Sequence, residues 1–118
     1  MKKILLFMAA VIIVCSSFQR KKIKRLAPAT KAACIQNKIA AYRKFQKHDQ
    51  PLRVVEYVYN SKKVYYVVAP CCDQLNQLYD ANCNLMGNPD GGFTGRGDGK
   101  FTDFEAKRSN ERILWKSN

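Results

Sequence analysis

The chain has 118 residues, of which 47% are hydrophobic and 25% are charged, and its formal net charge is +12. After removal of the first 17 or so residues, about 100 remain, which is enough for one small domain and not for two. The charge is uneven, because residues 20–63 carry thirteen basic and two acidic side chains whereas residues 64–118 carry six basic and seven acidic. The front half is therefore expected to be attracted to anionic surfaces.

Residues 1–17 have the layout of a secretory signal peptide. Two lysines precede the apolar run of residues 4–15, and two serines follow it. A run of this length is too short for a spanning helix, which needs roughly 20 apolar residues. We therefore expect export to the periplasm, the cell envelope or the medium, with no transmembrane segment in the mature chain.

Two alternatives to a cleaved signal peptide remain. Cys15 is a candidate for lipid modification, which would anchor the mature protein, although Val14 stands where such sites favour a small residue. The basic cluster of residues 20–25 resists translocation and would favour an uncleaved anchor.

Residues 18–29 are predicted to be a basic linker, and residues 30–118 a single domain. An amphipathic basic helix is predicted from residue 31 to about residue 47, since apolar residues recur there at helical spacing. These residues are Ile35, Ile39, Tyr42 and Phe45. We expect this apolar face to cover a sheet; the alternative is that residues 20–47 bind an anionic envelope surface.

Five short segments are predicted to be strands, because they are rich in Val, Tyr and Leu or lie beside turn-forming Asn and Asp residues. They comprise residues 52–59, 63–68, 75–79, 85–86 and 113–115. The first four form two hairpins, and the last is a closing strand after a helical turn near residues 102–107. The predicted fold is α+β, with an N-terminal amphipathic helix packed on a small antiparallel sheet.

Residues 87–99 contain all six glycines of the chain, which favours an irregular loop. We take this loop as the first candidate binding surface, because function in small scaffolds concentrates on loops held by a frame. Its candidate residues are Asp90, Gly91, Gly92, Thr94, Gly95, Arg96, Asp98 and Lys100. Calcium held by Asp90, Asp98 and Asp103 is an alternative, but their spacing matches no known calcium loop, so we expect neither metal nor cofactor.

The mature chain has four cysteines, which in a small exported domain predict two disulfide bonds. They are Cys34, Cys71, Cys72 and Cys83. A bond between the neighbours Cys71 and Cys72 would close a strained ring, so we expect one of them to bond Cys34 and the other to bond Cys83. A thiol-redox role for Cys71 and Cys72 is the alternative.

No catalytic team is evident in the sequence. His48 is the single histidine, and no Ser or Cys has a recognisable base beside it. No nucleic-acid-binding motif accompanies the positive charge, so we expect no nucleic acid partner. The predicted function is a non-enzymatic binding or structural module of the cell envelope.

The segments CCDQLNQLYD and PDGGFTGRGDGK resemble a family of small exported bacterial proteins that contain a domain of unknown function. The resemblance implies no substrate, cofactor or partner. Members often carry two further cysteines, at the positions of Gly87 and Phe101. This implies that a third bridge, closing the glycine loop, is missing here.

Overall fold

A computed structural model describes residues 31–118 of the chain. The predicted signal peptide, the candidate lipidation site Cys15 and the basic linker lie outside these residues. The elements in chain order are α1 (Lys31–Tyr42), a 3-10 turn (Lys47–Asp49), β1 (Arg53–Tyr59), β2 (Lys62–Val68), β3 (Gln77–Asp80), β4 (Leu85–Gly87), α2 (Phe104–Lys107) and β5 (Ser109–Lys116). The strands form one antiparallel sheet in the order β4-β3-β2-β1-β5. The α+β class and the antiparallel sheet are thus confirmed.

The first hairpin joins β1 and β2 in a register that runs to Tyr59 opposite Lys62. Only Asn60 and Ser61 lie in the turn, and both have positive φ, at 49° and 61°. Two such residues form the tight turn whose twist matches that of the flanking strands. The predicted hairpin is confirmed, with Lys62 in the strand and not in the turn.

The second hairpin, β3 and β4, is also confirmed, but β3 begins at Gln77 and not at residue 75. Leu75 instead makes an isolated bridge to Gly91 in the glycine loop. The closing strand β5 is longer than predicted and pairs with β1 at the sheet edge. Asn110 has a φ of 55° near the start of β5.

Alternation along the strands gives the sheet two apolar faces. On the helix face, Ile35 and Ile39 of α1 cover four buried strand residues, namely Val54, Tyr65, Val67 and Tyr79. On the loop face, Phe104 covers a second buried set, namely Val55, Tyr57, Tyr59, Val64, Tyr66 and Leu78. The prediction that the apolar face of the helix covers a sheet is therefore correct.

Helix α1 ends at Tyr42, so the prediction that it continues to about residue 47 is wrong. After Tyr42 the amides of Lys44 and Phe45 bond carbonyls three residues back, which tightens the chain into a turn. Phe45 consequently leaves the apolar stripe and is 49% exposed. Neither helix among residues 31–118 is long and apolar enough to cross a lipid bilayer.

The predicted disulfide connectivity is wrong. The structure bonds Cys34 to Cys83, with Cα atoms 6.0 Å apart, and pairs Cys71 with its neighbour Cys72. A Cα separation of this size is ordinary for a disulfide. The bridge between Cys34 and Cys83 therefore fastens α1 to the turn between β3 and β4.

The sheet topology explains this connectivity. Cys83 follows Asp80, which pairs with Val64 near the start of β2. Cys71 instead follows Val68, at the end of β2. A strand of seven residues is roughly 20 Å long, so the two sites lie at opposite ends of the sheet.

Candidate functional site: the glycine loop

The structure assigns Gly87 to β4, so the glycine loop, predicted at residues 87–99, is taken from here on as residues 88–100. It connects β4 to α2 across the loop face of the sheet. Phe104, just after the loop, is buried against three tyrosine rings of β1 and β2. Its ring centroid lies 5.8, 5.3 and 5.4 Å from those of Tyr57, Tyr59 and Tyr66. This aromatic cluster holds the end of the loop against the sheet.

The Asp90 carboxylate joins the start of the loop to the sheet. The hydroxyl of Tyr66 donates to it at 2.7 Å, and the Nδ2 of Asn76 donates to it at 2.7 Å. Asn76 in turn accepts the backbone N–H of Ala69 at 2.8 Å. Burial, followed by the bond to Asp90, raises the pKa of Tyr66, so this hydroxyl stays protonated and remains a donor.

The Asp98 carboxylate closes the other side of the loop. It accepts the backbone N–H groups of Asn88 at 2.9 Å and Lys100 at 3.0 Å. These two bonds, that to Lys100 first, hold the pKa of Asp98 below its usual 3.8. Both carboxylates therefore serve to fold the loop.

The three aspartates considered as calcium ligands have separate partners. Asp103 accepts the Tyr59 hydroxyl at 2.6 Å and pairs with Lys107 at 2.7 Å, whereas Asp90 and Asp98 bond as described above. Within residues 31–118, no group of three or more His, Cys, Asp or Glu side chains is placed to hold a metal ion.

The backbone of the loop also depends on glycine. Gly91 and Gly97 have positive φ values of 80° and 63°. A Cβ atom on Gly97 would overlap the carbonyl oxygen of Asn88, so only glycine fits there. Further on, the Gly97 N–H bonds the Gly91 carbonyl at 3.1 Å, and the Asp98 N–H bonds the Asn88 carbonyl at 2.8 Å.

The part of this braced loop that faces solvent is its tip. Phe93 is 97% exposed, and Thr94, Gly95 and Arg96 are exposed beside it. Leu75, 42% exposed, lies against Gly92, where a Cβ would come within 2.8 Å of its Cδ2 atom. We call Phe93, Arg96 and Leu75 the loop tip.

Of the predicted loop residues, the structure places Asp90 and Asp98 in the frame and Thr94, Gly95, Arg96 and Lys100 at the surface. Sequence reasoning missed Phe93 and Leu75. One signal was available for Phe93, which is a single large apolar residue between glycines and has no periodic partner. Leu75 was assigned to a strand, and no signal marked it as an exposed residue beside the loop.

Gly87 and Phe101, the positions of the family's additional cysteines, are neighbours. A Cβ on Gly87 would lie 2.7 Å from Cε2 of Phe101. Phe101 also packs edge-to-face on Tyr59, at a centroid distance of 6.2 Å. Ring packing thus joins the two ends of the loop in this chain.

Three other features lie apart from the loop tip. Cys71 and Cys72 are exposed between β2 and β3. His48 pairs with Asp49 at 3.4 Å on the surface after α1. An open groove of about 820 Å³ lies near the turn of the first hairpin, and its walls include Lys62, Tyr65 and Met86.

Comparison with known proteins identifies a family but no function. The profile described as a domain of unknown function, DUF6970, matches residues 40–117, a span that contains the glycine loop and the five strands. Cys34 lies outside this span. No curated protein shows significant similarity to the chain, and neither does any solved structure. Because the match covers well over half of the sequence, the chain belongs to the DUF6970 family, as its resemblance to an uncharacterised family predicts.

Proposed function

We propose that this protein is an exported, non-enzymatic binding module of the cell envelope, and that it contacts its partner through the loop tip. The observation that carries this proposal is the 97% exposure of Phe93 on a loop whose base is held by hydrogen bonds. The export part rests on the apolar segment at residues 4–15.

The exposure of Phe93 argues for a partner on energetic grounds. Burying a phenylalanine side chain contributes about 1.5–3 kcal/mol, and this chain leaves that contribution unused. The base of the loop is held by hydrogen bonds, so ordering the loop on binding would cost little conformational entropy. Aromatic and arginine side chains are also the groups that dominate binding energy at protein interfaces.

The arrangement favours recognition over catalysis. The carboxylates of Asp90 and Asp98 accept hydrogen bonds from the loop's own frame. Arg96 is exposed and forms no ion pair with a carboxylate of residues 31–118. The partner that fits is a protein with an apolar pocket for the ring of Phe93 and a carboxylate for Arg96.

Affinity capture with two matched variants tests the proposal. The immobilised wild-type protein, Phe93→Ala and Thr94→Ala would each be exposed to a detergent extract of the producer's envelope. Both substitutions affect exposed side chains of the same turn, and Thr94→Ala removes one exposed hydrogen bond, from the Arg96 N–H to the Thr94 hydroxyl at 3.3 Å. All three proteins should therefore unfold at similar temperatures. We expect one protein to be retained by the wild type and by Thr94→Ala but not by Phe93→Ala.

The retained protein would then be purified and titrated against the same variants. Truncation of a central aromatic side chain should weaken binding by about 2 kcal/mol or more. An identical set of retained proteins for all three chains would refute a role of Phe93 in recognition.

A thiol-exchange role for Cys71 and Cys72 is a second proposal, and it is supported by their adjacency and exposure. Against it, the next residue is Asp73, whose negative charge disfavours a reactive thiolate. Alkylation of the native protein without reductant, followed by mass spectrometry, tests it. Labelling of both residues would support exchange, and complete protection would exclude free thiols in the isolated protein.

A further inference from the structure

A second exposed apolar surface lies where α1 ends, β1 begins and β5 ends. The Tyr42 ring stacks on Trp115 at a centroid distance of 6.5 Å and packs edge-to-face on Phe45 at 5.8 Å. Phe45 and Leu52 are each 49% exposed. Leu52 lies two residues before Val54, which is opposite Trp115 in the β1–β5 register. We call these four residues, with the basic side chains named below, the aromatic–basic surface.

The exposure of Phe45 is fixed by a bonded turn. The Phe45 N–H donates to the carbonyl of Tyr42 at 3.0 Å. The Nε2 of Gln50 donates to the carbonyl of Phe45 at 3.1 Å and to that of Arg43 at 3.4 Å. These hydrogen bonds all lie within residues 42–50, and they hold the turn that exposes the Phe45 ring to solvent.

Uncompensated positive charge surrounds these apolar side chains. Arg43, Lys44, Lys47 and Lys116 are all exposed. None of them forms an ion pair with a carboxylate in the part of the chain that the structure describes. The acidic side chain on this turn, Asp49, pairs with His48 at 3.4 Å.

We propose that the aromatic–basic surface docks on an anionic phospholipid bilayer. Trp and Tyr favour the boundary between headgroups and acyl chains, and Lys and Arg are attracted to anionic headgroups. Phe45 and Leu52 insert below them, where apolar area is removed from water. Charge complementarity selects an anionic surface, and the aliphatic and aromatic side chains at its centre select a bilayer over a soluble polyanion.

This surface differs from the one considered from sequence alone. Only the end of the segment 20–47 contributes to it among the described residues, and β1 and β5 supply Leu52, Trp115 and Lys116. It is therefore a tertiary surface. It shares no residue with the loop tip, so either proposal can fail without the other.

Trp115 is the only tryptophan of the chain, which makes it a reporter inside the surface. The full-length protein would be titrated with vesicles of phosphatidylcholine containing about 30% phosphatidylglycerol, a content that gives an anionic surface. We expect a blue shift of the Trp115 emission and quenching by lipids brominated in the acyl chain. Pure phosphatidylcholine vesicles should give neither.

Two double variants separate a specific surface from total charge. Each basic residue near an anionic surface changes affinity by about fivefold, so Lys44→Gln with Lys47→Gln should weaken vesicle binding about 25-fold. Lys62→Gln with Lys100→Gln removes the same charge from exposed sites elsewhere and should change it less than about twofold. Phe45→Ser should reduce the brominated-lipid quenching with the charge unchanged.

Three results would overturn the proposal. The first is unchanged Trp115 emission with anionic vesicles, which is also what attachment through residues 4–15 alone would produce. The second is equal weakening in the two double variants. The third is an equal shift with soluble heparin and no quenching by brominated lipids, which would assign the surface to an anionic glycan.

Discussion

The helix face and the loop face of the same sheet are covered in different ways. On the helix face, Ile35 and Ile39 of a regular helix pack on the strands, and one disulfide fastens that helix. On the loop face, Phe104 fills the core while the rest of the cover is an irregular loop. That loop is held by the Asp90 and Asp98 carboxylates and by glycines at positive φ.

The difference shows how both faces are covered although α1 is the only helix of more than four residues among residues 31–118. A helix pairs its own backbone N–H and C=O groups, so its attachment to the sheet depends on side-chain packing. An irregular loop does not pair all of its own backbone groups, so side chains such as carboxylates accept hydrogen bonds from the remaining N–H groups. This explains the role of Asp98, which accepts the N–H groups of Asn88 and Lys100. Asp90 instead accepts the side-chain donors of Tyr66 and Asn76 and so fastens the loop to the sheet.

The largest predicted effect is the loss of the apolar cover itself. Phe104→Ala removes a fully buried ring and should lower the free energy of unfolding by about 3–5 kcal/mol. On the helix face, Ile39→Ala should cost about 2–4 kcal/mol. Guanidinium denaturation measures both. A loss below about 1 kcal/mol for Phe104→Ala would contradict the packing of Phe104 in a buried core on the loop face.

The second prediction concerns the covalent bond that fastens the helix. Replacing Cys34 and Cys83 together by Ala opens a bridge with a sequence separation of 49 and should cost about 3–4 kcal/mol. Replacing Cys71 and Cys72 together by Ser should cost less than about 1 kcal/mol, because neighbouring residues close almost no loop. Equal costs for the two double variants would instead support the connectivity predicted from the sequence, because each double variant would then open both bridges.

A pair of glycine substitutions tests the backbone of the loop. Gly97→Ala should cost about 2–4 kcal/mol, since it combines positive φ with overlap on Asn88. Gly95→Ala has a similar φ of 71° but open space around its Cβ, so it should cost about 1 kcal/mol. Thermal unfolding would resolve the difference. Equal costs would argue that the loop relaxes freely.

The polar frame has a smaller predicted effect. Asp90→Asn replaces a charged acceptor of two side-chain donors and should cost about 1–3 kcal/mol. The exposed Asp73→Asn is the matched control and should change stability by less than about 0.5 kcal/mol. If the two variants were equally stable, the bond from Tyr66 to Asp90 would not hold the loop.

The smallest effect is the pH dependence that Asp98 contributes. The folded-state pKa of Asp98 lies below its usual 3.8, so its contribution is intact above pH 3.8 and is lost as the pH falls further. The amide resonances of Asn88 and Lys100 should shift together in this acid range. They should not do so in Asp98→Asn, and a titration centred above pH 3.8 would contradict the assigned bonds.

The sequence predicts the helix face better than the loop face, because helices and strands leave a periodic apolar pattern and an irregular loop does not. Ile35 and Ile39 recur at helical spacing, and residues 52–59 and 63–68 are rich in Val and Tyr, so the helix and both hairpins could be predicted. The end of α1 could not, because Phe45 continues the apolar spacing while hydrogen bonds from Gln50 hold a turn there. The Asp90 network joins residues distant in sequence and leaves no periodic signal. The disulfide pattern depended on which end of the sheet each cysteine occupies, which only the strand register reveals.

Amide hydrogen exchange tests the central claim, a fixed loop with a free tip, most directly. The N–H groups of Gly92, Gly97 and Asp98 donate to backbone carbonyls, and Phe93 stands on the exposed turn between them. We predict slow exchange at those three amides and fast exchange at Phe93, with protection of the three lost in Asp90→Asn. Uniformly fast exchange from Asn88 to Lys100 in the wild-type protein would contradict the account.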